Sequence, residues 1–197
     1  MARSIDLDHI AAALNAGPPQ LSSDYDLNPE IKLPPGRALR HAAVLIGVLD
    51  DAVILTKRAS HLKHHPGQIA LPGGKVDATD ASAEAAALRE AHEEIGLDPA
   101  SVTILGTLPA HETVTGYSIK PVFARIESEF QAVPEPGEVA EVFRVPLSFL
   151  LDAGNYRVEQ RRWRGVWRQF YVVPFGPYYI WGATGRMLKA LCDQVAS

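Results

Sequence analysis

Apolar and polar positions change their rhythm several times along this 197-residue chain. "SIDLDHIAAALN" (4–15) reads as a short amphipathic helix. A stretch rich in Pro and Gly runs on to about residue 37, an arm expected to wrap the domain or a partner subunit. "LRHAAVLIGVL" (39–49) and "AVILTKR" (52–58) are apolar runs rich in Val and Ile, parted by Leu-Asp-Asp, and predict a hairpin of two strands. "HLKHHPGQ" (61–68) is a basic loop, and "IALP" (69–72) a third strand stopped by Pro-Gly-Gly. A helix follows, with Ser82 as its cap and Gly96 as its end. "SVTILGTLPA", "YSIKPVFARIE" and "EVFRVPL" predict further strands, and "PLSFLLDAG" a short helix opened by proline. "YRVEQRRWRGVWRQFYVVPF" (156–175) alternates as a hairpin turning near Arg164-Gly165. A last helix begins near Ala183. The order implies an α/β fold in which a mixed β-sheet is sandwiched between helices (α/β/α). The expected division is an N-terminal helix and extended arm over 1–37 and one catalytic-sized domain over 38–197.

Composition narrows the classes. The chain is 47% hydrophobic and 21% charged, ordinary for a globular protein. A net charge of −4 and a pI near 6.0 leave no global basic field, so nucleic acid is not the expected partner. "RRWRGVWR" (161–168) interleaves aromatics with arginines. One reading is an RNA-binding stretch; the favoured one is strand alternation, with Trp163 and Trp167 turned inward or to an interface and the arginines outward. Cys192 is the single cysteine. It fits a reducing compartment and reads as a core thiol. No apolar run approaches the roughly 18 residues that cross a membrane, and the first residues lack a signal peptide's features, so a cytoplasmic protein is expected.

Residues 71–98, "LPGGKVDATDASAEAAALREAHEEIGLD", carry the chemistry. On a helix Glu90, Glu93 and Glu94 are related by three and four positions and share a face. Leu88, Ala91 and Ile95 form a separate stripe that can dock on the sheet. Arg89 stands in line to balance the carboxylates through Glu93. A solvated acidic face is one reading. The other is a hard divalent cation, Mg²⁺ or Mn²⁺, which prefers oxygen ligands and is often shared with substrate phosphates.

Glycine turn, helix and Arg-Glu-x-x-Glu-Glu-x-Gly in this order resemble the signature of the Nudix hydrolases, G-x5-E-x7-R-E-U-x-E-E-x-G-U with U apolar. Gly74, Arg89, Glu90, Ala91, Glu93, Glu94, Gly96 and Leu97 fall on it. The first acid is Asp80, six residues after Gly74, and the gap to Arg89 is one residue longer than usual, so the resemblance assigns Asp80 no firm role. "LTKRASHLKHHPGQIALPGG" (55–74) is similar to a segment of the coenzyme A pyrophosphatase branch, as are "TVTGYSIKPVFA" (113–124) and "YYIWGATGRMLKAL" (178–191). Ala59 and Leu71 depart from that branch's usual Ser and Phe.

The resemblance implies a Nudix fold and water attack on a phosphorus of a nucleoside diphosphate linked to another moiety. Coenzyme A or its thioesters would yield adenosine 3′,5′-bisphosphate and 4′-phosphopantetheine or its acyl form. It implies Glu90, Glu93 and Glu94 as ligands of Mg²⁺ or Mn²⁺ and Arg89 as the group orienting a glutamate. Arg58, Lys63, His65, Gln68, Gly73 and Gly74 become substrate-binding residues. The cluster Arg58, His61, Lys63, His64 and His65 suits a 3′-phosphate. Glu138, in the loop "PEPGEVAEVF", is the candidate base, with Glu93 its rival and Glu141 expected to face solvent. The partner is a small molecule, with no nucleic acid or membrane, and a homodimer is compatible with the arm. ADP-ribose, a dinucleotide or a nucleoside triphosphate are the alternative substrates. A catalytically silent binding module is the alternative of another class, disfavoured by the complete set of glutamates.

Overall fold

The computed structural model describes residues 5–16, 21–31, 33, 36–163 and 165–196. Helix α1 (Leu7–Ala16) and the two-residue strand β1 (Ser22–Ser23) come first. Strands β2 (Arg40–Leu49) and β3 (Ala52–Arg58) follow the two apolar runs, joined through Asp50 and Asp51, both with positive φ as a two-residue hairpin turn requires. Then come β4 (Ile69–Ala70), β5 (Gly73–Lys75), α2 (Ala83–Ile95), β6 (Val102–Thr107), β7 (His111–Glu112), β8 (Tyr117–Ile126) and β9 (Val139–Pro146). Helix α3 (Leu147–Leu150), strands β10 (Arg157–Trp163), β11 (Val166–Phe175) and β12 (Tyr178–Trp181), and helix α4 (Gly182–Ala196) complete the chain.

The main sheet runs β1-β7-β8-β2-β3-β4, with β5 on β2, β6 on β8 and β9 on β3. It is mixed. β2 and β8 run parallel from Arg40 opposite Tyr117 to Val48 opposite Arg125, whereas β3 meets β9 antiparallel. Side chains alternate across β2 as the pleat demands. Ala43, Leu45 and Leu49 pack with Ala86, Ala87, Ala91 and Ile95 of α2 on one face. Val44, Ile46 and Val48 join Ile10 of α1, Leu147 and Leu150 of α3 and Leu188 and Leu191 of α4 on the other. This is the α/β/α sandwich. Small alanines on α2 bring that helix close against the sheet, which matters for the carboxylates it carries. A second, three-stranded antiparallel sheet is formed by β10, β11 and β12.

Local chemistry agrees with several sequence expectations. Ser82 Oγ accepts the Ala85 N–H at 3.2 Å, and Gly96 ends α2 in the left-handed conformation at φ 71°. The β10–β11 hairpin turns between Trp163 and Val166, paired opposite each other. Cys192 is buried and donates to the Leu151 carbonyl. No helix among the described residues is long and apolar enough to cross a membrane.

Other expectations need correction. Pro-Gly-Gly is more than a stop: β4 ends before it, at Ala70, but Gly73 and Gly74 begin a new strand, β5, antiparallel to β2 opposite Val44 and Ala43. They can lie so close because a Cβ at Gly73 would stand 2.3 Å from the Ala43 carbonyl oxygen. Glu141 does not face solvent. It lies on the side of β9 that carries Phe143, which stacks on Tyr178, and it accepts the Tyr178 hydroxyl. Trp167 is 59% exposed, so it is not turned inward within the chain, and it pairs across the hairpin with Arg162 and shares a face with that arginine. The side chain of Trp163 and the turn residue Arg164 lie outside the described residues.

The described part of the arm packs on its own chain. β1 pairs parallel with β7, and His111 is fully buried between Ser22 Oγ at 3.0 Å and Asp24 Oδ1 at 3.1 Å. The Asn28 side-chain amide donates to the Gln169 carbonyl at 3.0 Å and accepts the Gln169 N–H at 2.8 Å, standing in for a strand beside β11.

Candidate active site

The last two turns of α2 divide their three glutamates by environment. Glu94 turns in towards β5 and is buried, and the Gly73 N–H donates to its Oε2 at 3.1 Å. Glu90 lies over Gly74: a Cβ there would stand 2.4 Å from the Glu90 carboxyl carbon. The absence of a side chain at residue 74 is therefore what makes room for this carboxylate. Glu93 is exposed. The shared face of the sequence reading is thus a gradient from buried to solvated.

Arg89 ties this face together. Its Nη1 donates to Glu90 Oε1 at 3.0 Å and to Glu93 Oε2 at 3.1 Å, and Nη2 donates to the Lys75 carbonyl at 3.0 Å. The rest of the fork clasps Asp80, Nε to Oδ1 at 2.9 Å and Nη2 to Oδ2 at 3.0 Å. The hydrogen bond with Asp80 holds the guanidinium's pKa well above its ordinary value, and the same bond depresses that of Asp80.

Charge is strained on the inner side. Burial pushes the Glu94 carboxyl up to about 7. The Gly73 N–H opposes this, Glu138 and Glu90 add to it, and Arg58 pulls down. Glu90 is also raised, by burial first, against the pull of Arg89 and with further pushes from Glu93 and Glu138. Glu138 therefore stands in electrostatic reach of both. Its loop is pinned to α2: the Val133 N–H donates to the Ile95 carbonyl at 3.0 Å and the Glu135 N–H to that of Glu94 at 2.9 Å. These amides cap the carbonyl end of the helix and fix where Glu138 sits.

Arg58, at the end of β3, has a buried Nε with no hydrogen-bond partner among the described residues. Gln68 closes the basic loop through its backbone, its carbonyl accepting the Arg58 N–H at 2.9 Å. Lys63 and His65 are exposed at the tip of that loop, His65 with φ 53°, and neither makes a hydrogen bond or ion pair with the carboxylate face. The fold thus brings together Arg58, Gly73, Gly74, Arg89, Glu90, Glu94 and Glu138, with Glu93 at the rim, and leaves Lys63 and His65 apart. A separate cavity of about 570 Å³, lined by Asp6, Asp50, Asp51, Arg125 and Glu127 among others, shares no residue with this face.

The donor set suits a hard divalent cation. Burial raises both the Glu90 and the Glu94 carboxyl, the charge of Glu90 adds to the rise at Glu94, and the orphaned Arg58 nitrogen belongs to a guanidinium whose charge pulls Glu94 the other way. Among the described residues no three His, Cys, Asp or Glu are gathered as a ready-made coordination shell. A Mg²⁺-like ion does not require one, since it is commonly held by one or two carboxylates, waters and substrate phosphates.

Comparison with known proteins decides the family. The NUDIX domain profile matches residues 39–164, well over half of the chain. The chain belongs to the Nudix family. An Enterobacter sp. (strain 638) relative named Uncharacterized Nudix hydrolase NudL is 42% identical over 159 residues, covering 79% of this chain and 83% of the relative. A protein of the same name from Escherichia coli O139:H28 is 36% identical over 196 residues, 98% of this chain and 96% of the relative. Among solved structures, a MutT/nudix family protein from Enterococcus faecalis aligns with a TM-score of 0.52 at 17% identity, over 85% of this chain and 66% of that one. That likeness concerns the fold. As a Nudix hydrolase the chain is an enzyme of pyrophosphatase type, acting on small molecules in a family that generally uses divalent metal ions.

The Nudix assignment also places the residue that sequence reasoning undervalued. The extra residue lies between Asp80 and Arg89, and a turn over 77–80 precedes it, in which the Asp77 N–H donates to Asp80 Oδ2 at 2.7 Å and the Asp80 N–H to the Asp77 carbonyl at 3.0 Å. The turn delivers the Asp80 carboxylate to Arg89. The signal available in the sequence was an acid of the right type one position out of register.

Proposed function

We propose that this Nudix hydrolase cleaves the diphosphate of coenzyme A or its thioesters with a bound Mg²⁺ or Mn²⁺, releasing adenosine 3′,5′-bisphosphate and 4′-phosphopantetheine or its acyl form. The observation that carries the reading is the face built by Glu90, Glu94 and Glu138 against Gly73 and Gly74, with the unpartnered Arg58 Nε beside it. Glu90 and Glu94 are its cation ligands, with Glu93 at the rim as a third. The cation supplies charge neutralisation of the diphosphate and a more acidic bound water. Arg89, held by Asp80, fixes the orientation of Glu90 and Glu93. Arg58 offers a donor to a phosphate oxygen, and the side-chain-free edge at Gly73 and Gly74 lets the diphosphate approach the backbone. Glu138, on its pinned loop, accepts the proton of the attacking water. The choice of coenzyme A rests on the similarity of residues 55–74, 113–124 and 178–191 to that branch and on the basic loop with Lys63 and His65 for the 3′-phosphate. Residues 1–37 serve as an accessory arm to the catalytic domain over 38–197, in the cytoplasm.

The experiment is a substrate panel with Mg²⁺ and with Mn²⁺: coenzyme A, an acyl-coenzyme A, dephospho-coenzyme A, ADP-ribose, a dinucleoside polyphosphate and a nucleoside triphosphate. The expected result is the highest kcat/KM on coenzyme A or its thioesters, lost in Glu90→Gln. Highest kcat/KM on ADP-ribose or a dinucleotide would leave the site intact and replace the substrate.

A further inference from the structure

β10 is the outer strand of the three-stranded sheet. It pairs with β11 through all seven residues without a bulge, and each residue from 157 to 162 is exposed. Edge strands are commonly blunted by charged side chains, proline, a bulge or a covering segment, and β10 has only the first of these among its described residues. It lies among exposed hydrophobic side chains: Val158 at 51%, Val166 at 50%, Trp167 at 59% and Tyr179 at 44%. Its charges, Arg157, Glu159, Arg161 and Arg162, decide what can pair with it.

We propose that the chain forms a two-fold dimer by antiparallel pairing of β10 with a second copy, centred on Gln160. In that register all seven residues overlap, and Glu159 lies opposite the partner's Arg161 twice, once on each side of the axis. Centring on Glu159 would face that carboxylate with its own copy and set Arg157 against the partner's Arg161. Centring on Arg161 would face two guanidinium groups. Centring on Val158 would satisfy Arg157 with the partner's Glu159 but pair only about half of the strand. Directly opposed like charges destabilise a sheet and opposite charges stabilise it, so the full-length pairing centred on Gln160 is selected. Arg161 also lacks a counter-charge of its own: within the hairpin its cross-strand neighbour is Arg168, and among the described residues it makes no ion pair. The Glu159 carboxylate is already held on the exposed side of the sheet by the Tyr179 hydroxyl, at 2.6 Å. The two small sheets thereby join into one of six strands, a closed isologous contact. An edge pairing of this length sits at the small end of stable interfaces, roughly 1,000 Å² in all.

Sedimentation velocity of the full chain over about 1 to 100 µM tests this, a range set by the affinity expected of a small interface. The wild type runs as a dimer at the upper end. Glu159→Arg and Arg161→Glu each set two like-charged pairs face to face and raise the dimer Kd by about tenfold or more. An equimolar mixture of the two variants, which restores opposite charges across the axis, recovers the dimer, as does the chain carrying both substitutions. Tyr179→Phe, which removes only the hydroxyl that holds Glu159, leaves a dimer. Recovery in the mixture shows that the single variants are folded. A wild type that stays monomeric throughout overturns the proposal, as do single variants that dimerise like the wild type, or a mixture that fails to recover. A monomeric wild type that binds a single-stranded oligonucleotide in an Arg161-dependent manner also overturns it and gives this edge to nucleic acid.

Discussion

Glu94 makes the metal-free protein sensitive to pH in an unusual direction. Its carboxyl is raised from 4.5 to about 7, chiefly by burial against β5. In the unfolded chain it ionises near the ordinary value, while in the folded chain it stays protonated until about 7. Stability is therefore full below about pH 4.5, falls as pH climbs to about 7, and then carries a constant penalty. The size of the shift corresponds to about 3 kcal/mol, or roughly 6 to 12 °C in Tm for a chain of this length. The perturbation is Glu94→Gln, which keeps the volume and removes the charge. Thermal or urea melts in a chelator, at pH values between 5 and 8, compare the two proteins, and the difference between their curves isolates Glu94 from the other titrating groups. The variant is expected to gain on the wild type as pH rises, by about 3 kcal/mol at the upper end. Adding Mg²⁺ at pH 8 should then stabilise the wild type and not the variant, because the ionised carboxylate gains a partner. Parallel wild-type and variant curves in the chelator would refute the account of Glu94 as an acid held protonated by its burial.

Three further outcomes follow from the site. Gly74→Ala drives a Cβ into the Glu90 carboxylate and should lower kcat by about a hundredfold or more, as misplacing a catalytic group does, while circular dichroism stays native; near wild-type turnover would contradict the role of that close approach. Glu138→Gln should lower kcat more than it raises KM, since a base acts chiefly in the transition state, and an unchanged kcat across pH where chemistry limits turnover would remove it as the base. Lys63→Ala and His65→Ala should weaken use of coenzyme A more than of dephospho-coenzyme A, and equal losses in kcat/KM on both would detach the basic loop from the 3′-phosphate.

Legibility in the sequence depended on how local the physics was. The strand over 52–58 and the cap at Ser82 are written in residues that act on their immediate neighbours, and the structure has both where the pattern put them. The spacing of Glu90, Glu93 and Glu94 was equally plain, because helical geometry is local. Their unequal burial was not, since it depends on β5, a strand that exists only because two glycines let the backbone lie against β2. Asp80 was obscured for the opposite reason: its distance along the chain argued against a role, but a tight turn brought its carboxylate to Arg89. Glu141 was misjudged because its partner, Tyr178, lies 37 residues away and on another sheet. Contacts between elements are where single-sequence reading stopped.

Asn28 acquires a larger meaning beside an exposed β10. At Gln169 the strand β11 has outrun β12, whose pairing begins at Val172, so one side of its backbone there is occupied by the Asn28 amide alone among the hydrogen bonds of the described residues. A sheet with one open side can make a pair and stop. A sheet open on both sides can go on adding copies without limit. By holding the Gln169 N–H and carbonyl, a single asparagine of the N-terminal arm closes that stretch of β11 to a further copy, and a chain lacking residues 1–28 would be expected to form assemblies larger than those of the intact one.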